Sequence, residues 1–282
     1  MIMTEKEGNN TAENGNKRLR ISEESSVSSE HELQIQQQGI LEGNSCDRNL
    51  HNEPYRVPVH FKPGFPQLLF EDLQSENSNH VEAAMAAIAT KMKSCGLAEF
   101  KEFCALGGSA LLVTAVRKWC LYGGIQFQGS RCIATMLFVC PDSLFHGLEA
   151  SLHLMGWMEL AAEAMNRFSD LEDLQCCSIG SLGNLYSKNF RSLADPKIQA
   201  LARFVNALDG IGLVAAAMRR FPNSEGVQEE SCWLLSRLCS LGYGNHPLMG
   251  DLAHPLVSSA MQRYPHNQGL AASARIFIGV VR

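Results

Sequence analysis

His146, Glu149 and His153, within the segment HGLEASLH, stand at i, i+3 and i+7, a spacing that places two imidazoles and a carboxylate on one helix face. That residue set can bind a divalent metal and activate water, the chemistry of a metal-dependent hydrolase. The same face also suits the polar outer side of a connecting helix, and no further protein ligand is evident, so no metal site is assigned. The adjacent Cys176 and Cys177 raise thiolate chemistry, which needs a neighbouring His or cation to lower the thiol pKa. The local sequence offers none, and packing is the expected role. The glycines of ALGGSA (105–110) and GSLGN (180–184) lack the Lys-Ser/Thr partner of a phosphate-binding loop. With no serine elbow, paired acidic motif or dinucleotide fingerprint, the expectation is a protein without catalytic residues or cofactor.

The elements that must carry these residues repeat. Take Ala115, Ala164, Ala217 and Ala260 as anchors. Four residues before each is Leu111, Leu160, Leu213 or Leu256, and one after is Val116, Met165, Met218 or Met261. Four after comes an aromatic: Trp119, Phe168, Phe221 or Tyr264. Ten after is Ile125, Leu174, Val227 or Leu270, followed by Gln126, Gln175 or Gln228 in three of the four. Offset +14 is small (Gly129, Ser178, Ser231, Ala274), while +18 and +21 are aliphatic or Met. Recurrence at fixed offsets identifies an internal repeat.

Offsets −4, 0, +1 and +4 line one side of a first helix; +10, +14, +18 and +21 line one side of a second. Between them lie breakers: Gly123-Gly124, Ser169-Asp170, Pro222-Asn223 and Pro265-His266. Proline ends the first helix, and the neighbouring Asn, Ser or Asp is expected to cap the next. The small residue at +14 lets neighbouring helices approach closely. The first two anchor spacings leave room for a third helix before the hairpin, as in SLFHGLEASL and IQALARFVNAL. One hairpin cannot cover its own apolar stripe, so units must stack into a solenoid. An Ala-rich segment upstream, HVEAAMAAIATKM, predicts one more degenerate unit, and EFKEFCALGG a short helix closed by glycine.

With these units in register, the chain resembles the armadillo-repeat family. FCALGGSALLVTAVRKW is similar to that family's first-to-second-helix passage with its Leu-Gly-Gly corner, and VQEESCWLLSRL to its third helix. The resemblance spans roughly residues 67–282. It implies an all-α, right-handed superhelix of three-helix units whose third helices line a concave groove for an extended partner segment. In the importin alpha proteins of that family, Trp and Asn one helical turn apart form ladders that bind basic peptides. Those positions are +16 and +20 here: Arg131 and Thr135, Gly180 and Asn184, Trp233 and Arg237, Ile276 and Val280. Only Asn184 and Trp233 match, in different units, so the ladder is broken and an import receptor is not implied. Offset +16 lies off the packing stripe, which favours exposure of Trp233. Arg131, Asn184, Glu230, Trp233 and Arg237 are therefore the expected partner-binding residues.

The 282-residue composition, 45% hydrophobic and 19% charged with a net charge of −5, suits an Ala/Leu-rich helical protein. Residues 1–55 hold ten acidic side chains against five basic ones, leaving 19 of each sign for the remainder. A neutral body lacks the field that a phosphate backbone requires, so nucleic acid is not an expected partner. Residues 1–60 are polar and predicted to form a disordered acidic tail and linker, with a short basic cluster at Lys17, Arg18 and Arg20. Residues 61–282 are predicted to form the repeat domain. The ten cysteines form no CxxC pair and several sit in apolar runs. Together with the absence of a secretory signal or long apolar run, this predicts a cytoplasmic or nuclear protein that does not enter membranes. The sequence stops inside the last helix without a polar cap. That edge is expected to be covered by the tail, to bind another subunit, as a second copy or as an adaptor within a larger assembly, or to reflect a truncated chain.

Overall fold

Where the offsets place hairpins, the computed structural model has them; it describes residues 67–187 and 196–281. The acidic tail, its basic cluster and the Pro54–Pro66 linker lie outside the described residues. Regular structure among the described residues is helical, without strands. Helices α1 (Gln67–Leu73) and α2 (Ser78–Met92) form the degenerate upstream unit. The first full unit is α3 (Leu97–Ala105), α4 (Gly108–Lys118) and α5 (Gly123–Val139). The second is α6 (Asp142–Leu154), α7 (Trp157–Arg167) and α8 (Glu172–Leu185). The third is α9 (Pro196–Asn206), α10 (Gly210–Arg220) and α11 (Glu225–Ser240). In the fourth, a 3₁₀ turn (Tyr243–Asn245) and a π-helical turn (Met249–Ala253) replace the first helix, before α12 (His254–Arg263) and α13 (Gln268–Val280). The shorter spacing to the last anchor leaves no length for a full helix there.

The third helices α2, α5, α8, α11 and α13 stack side by side in chain order and make the most extensive contacts in the molecule. The result is an all-α solenoid. Its core is the predicted register. All four anchor alanines are buried, as are Ile125, Leu174, Val227 and Leu270 at +10 and Gly129, Ser178, Ser231 and Ala274 at +14. Small residues at +14 have a visible cause. A Cβ at Gly129 would lie 2.2 Å from Val116 Cγ2, and Ser130 and Ser178 on stacked third helices share a buried hydroxyl–hydroxyl bond of 3.0 Å.

The glutamine at +11 ties each hairpin together. Gln126 Nε2 donates to the carbonyls of Val116 (2.7 Å) and Trp119 (3.1 Å). Gln175 donates to Met165 (2.8 Å) and Phe168 (3.1 Å), and Gln228 to Met218 (2.9 Å) and Phe221 (3.0 Å). Carbonyls in the last turn of a helix lack intrahelical donors. One buried amide thus satisfies the end of the second helix from within the third. The fourth unit has Ala271 at this position and lacks the bridge.

The turn into each second helix needs a left-handed residue. Gly107 (φ +73°) and Gly156 (φ +70°) supply it in the first two units, and Asp209 (φ +50°), a non-glycine that tolerates this region, in the third. The second glycine of the Leu-Gly-Gly corner gives room: a Cβ at Gly108 would lie 2.3 Å from the Phe103 ring, and one at Gly210 2.4 Å from Phe204. The expected caps of the third helices require correction. In the first to fourth units the N-caps are Tyr122, which precedes its glycine pair, and Leu171, Ser224 and Asn267, each one residue beyond its breaker pair. Only Ser224 and Asn267 accept a capping bond through their side chains, from Val227 N (3.3 Å) and Leu270 N (2.8 Å). The aromatic at +4 is the C-cap of the second helix and sets how far the chain runs before the next helix begins.

Candidate functional site

Because +10, +14, +18 and +21 point into the core, positions +13, +16 and +20 fall on the opposite shoulder of each third helix. The five sequence-selected residues lie there, all half-buried: Arg131 on α5, Asn184 on α8, and Glu230, Trp233 and Arg237 on α11. The structure brings the last three together, one helical turn apart. The Arg237 guanidinium stacks over the Trp233 ring at 4.2 Å, a cation–π contact that fixes both side chains. Trp233 in turn rests on the neighbouring third helix, where a Cβ at Gly183 would lie 2.6 Å from its Cδ1. Glu230 lies over Gly180, whose added Cβ would come within 3.1 Å of the carboxylate carbon. The two glycines of GSLGN are thus the seat for two side chains of α11.

Asn184 and Arg131 connect less directly to this trio. Asn184 Nδ2 donates to the Ala134 carbonyl of α5 at 3.3 Å, a lateral tie between stacked helices, and Arg131 donates to Gln128 at 3.3 Å on its own helix. Between them and Glu230 sits Cys177, at the +13 position, whose thiol feels the fields of Asp173, Arg131, Glu230 and Lys93. Burial raises that thiol to about 11 and Cys176 to about 12, so neither is a thiolate at neutral pH. Gly180, Gly183, Cys177 and Lys93 were not selected from sequence. The available signal was spacing: the glycines recur at +16 and +19 of the unit preceding the one that carries large residues at +13 and +16.

The electrostatics of α11 are unusual. Loss of solvent, with a smaller contribution from Glu229, pushes the Glu230 carboxyl up to about 7, and burial lowers Arg237. Glu229 itself accepts from Asn267 Nδ2 at 3.0 Å, whereas Glu230 makes no ion pair or hydrogen bond among the described residues. The buried Arg237 Nε also has no hydrogen-bond acceptor there.

His146, Glu149 and His153 do converge, but of the three only His146 stands on the outer face. Glu149 is 1% exposed and lies on the inward stripe of α6 with Phe145, Leu148 and Leu152. His146 Nδ1 approaches its carboxylate at 3.6 Å and His153 Nε2 at 3.9 Å, while the His153 ring packs tilted against Tyr186 at 5.7 Å between centroids. Glu149 and His153 are thus a buried polar pair beside Tyr186, which His146, 60% exposed, approaches from the solvent side. Among the described residues no group of three or more His, Cys, Asp or Glu is arranged to hold a metal ion.

Three-helix units in register, stacked third helix on third helix with a glycine corner into each second helix, define an armadillo-type α-solenoid. The profile of the LRRK2 ARM repeat matches residues 109–279, well over half of the chain, and the chain belongs to that armadillo-repeat family. Two solved structures of engineered proteins from the Northeast Structural Genomics Consortium are also similar. One, 16% identical, covers 77% of this chain and 99% of that chain with a TM-score of 0.39. The other is 14% identical, with 76% and 94% covered and a TM-score of 0.37. The fold assignment rests on the family match and the repeat register. This architecture suggests a protein-interaction scaffold.

Proposed function

We propose that the protein is a non-catalytic interaction module that takes an extended segment of a partner protein along its third-helix layer, with Trp233 as the anchor. The observation that carries this reading is the clamped tryptophan. A large aromatic side chain, half-buried and held between Gly183 and the Arg237 guanidinium, has little side-chain freedom left to lose on binding. Asn184 and Arg131 extend the same layer toward the N-terminal units. The partner is neither nucleic acid nor membrane: the repeat region is electrically neutral, and no single described helix is long and apolar enough to cross a bilayer. The setting is the cytoplasm or the nucleus. At the C-terminal edge, Ile276 (50% exposed) and Val280 (42%) offer a second contact surface for another copy of the chain.

A random-peptide display selection on the immobilised full-length chain tests the anchor. Sequences enriched on the wild type are expected to be lost on Trp233→Ala, with the circular dichroism spectrum and helical melt retained. Enrichment that survives Trp233→Ala in a folded protein would overturn the assignment.

A further inference from the structure

The α11 face has a polarity of its own. Glu230, Trp233 and Arg237 follow at i, i+3 and i+7 on one shoulder of the helix, the acid lying over Gly180 and the base over the Trp233 ring, with no ion pair between them. Seven residues of α-helix separate Glu230 from Arg237 by ~10 Å along the axis, too far for a direct ion pair. The nearby ionisable groups are otherwise placed: Glu229 is held by Asn267, Arg131 by Gln128, and Lys93 and Asp173 flank Cys177. Two half-buried ionisable groups, one acid and one base, thus remain on either side of a fixed aromatic ring. Each has already lost part of its hydration, so an opposite charge brought to it meets a smaller desolvation cost than at an exposed site. Stacking on Trp233 occupies the face of the guanidinium and leaves its edge donors for a carboxylate.

Resting on the groove reading above, we infer that this face selects a dipolar partner segment, one basic side chain for Glu230 and one acidic side chain for Arg237, spaced three residues apart in a polyproline-II-like conformation. The spacing follows from geometry. A polyproline-II chain has three residues per turn and rises ~3.1 Å per residue, so it returns the same side every ~9.3 Å, matching the ~10 Å between the two charges. A flat β-strand repeats its side every second residue, at ~6.8 Å or ~13.6 Å, and matches less well. The two residues between the charged pair cross the Trp233 ring, where apolar or proline side chains fit.

The same display selection separates this inference from the groove reading. Enriched sequences should carry Lys or Arg and Asp or Glu at i and i+3. A labelled synthetic peptide of that pattern should bind the full-length chain roughly tenfold or more tightly than peptides with either charge neutralised. On Glu230→Gln the penalty for neutralising the basic residue should vanish while the acidic preference stays, and on Arg237→Gln the reverse. Both variants should keep the wild-type helical spectrum; Glu230→Gln is nearly isosteric and is the one relied on should Arg237→Gln fail to fold. Enriched peptides that depend on Trp233 but show no paired charges, or whose charge preference ignores both variants, would overturn the dipolar inference alone. No enrichment, or enrichment indifferent to Trp233→Ala, would sink the groove reading and this inference with it.

Discussion

Replacing Gln175 by Ala removes two hydrogen bonds, a buried one to the Met165 carbonyl (2.8 Å) and a partly buried one to that of Phe168 (3.1 Å). The Phe168 carbonyl still accepts from Leu171 N at 3.0 Å, but the last-turn carbonyl of Met165 loses its side-chain donor. A typical hydrogen bond contributes about 0.5–1.5 kcal/mol net, and a buried group left unsatisfied costs about 1–3 kcal/mol. Gln175 is itself 2% exposed, so the truncation leaves a small cavity as well. Together these give a loss of roughly 2–4 kcal/mol. For a domain of this size that is a fall in melting temperature of roughly 5–15 °C, read by circular dichroism and checked by urea titration. Gln175→Glu is the sharper control. It keeps the shape but turns the donor into an acceptor aimed at two carbonyls, so it should be worse than Ala at neutral pH and recover on acidification as the carboxyl protonates. A natural complement exists in the fourth unit, where Ala271→Gln should add about 1 kcal/mol if the new amide reaches Met261 and Tyr264 as its counterparts do. Gln175→Glu as stable as the wild type at neutral pH, or Gln175→Ala within error of it, would refute the bridging role.

Three further outcomes follow from the same register and site. Leu182→Ala, at a position 0% exposed, should lose ~2–5 kcal/mol through burial and cavity terms, seen as a lower urea midpoint at unchanged slope. Asp209→Gly should raise stability by roughly 0.5–1.5 kcal/mol, because the left-handed backbone at φ +50° is strained for a residue with a Cβ, whereas Gly107→Ala should lower it. The Glu230 carboxyl is raised from 4.5 to about 7, so the folded state binds its proton more tightly than the unfolded state does. Its contribution is therefore full below about pH 4.5 and is lost as pH rises through about 7, and Glu230→Gln should match the wild type in acid yet exceed it by roughly 2–4 kcal/mol at mildly alkaline pH.

Much of the architecture was legible because burial repeats. Ile125, Leu174, Val227 and Leu270 share one environment, and a shared environment selects one residue class at one offset. The glutamines at +11 were visible as a pattern, but their role required the distances, since the carbonyls they satisfy belong to the backbone and leave no trace in residue type. Caps were misplaced at Ser169, Asp170 and Asn223 because breakers were read by composition, whereas the aromatic C-cap fixes the run length to Ser224 and Asn267. Asp209 was invisible as a corner because nothing but its position marks it as left-handed. Glu149 and His153 were read as part of an outer face with the exposed His146 because the spacing of the three is helical. The contrary signal was present: Glu149 shares the i, i+3, i+4, i+7 stripe of Phe145, Leu148 and Leu152 and therefore faces inward. For the candidate site, the place of Trp233 off the packing stripe followed from its offset, although the side chain is half-buried rather than exposed. Its seat on Gly183 did not, nor did that of Glu230 on Gly180, because both glycines lie on a different helix.

Hydrogen–deuterium exchange of the full-length chain, with and without a peptide enriched on it, tests the interaction account most directly. Slowed exchange should map to α8 and α11, around residues 176–184 and 226–237, and should disappear when Trp233→Ala is used in the same comparison. Protection confined to the second helices α7, α10 and α12, with the third-helix layer unchanged, would contradict it.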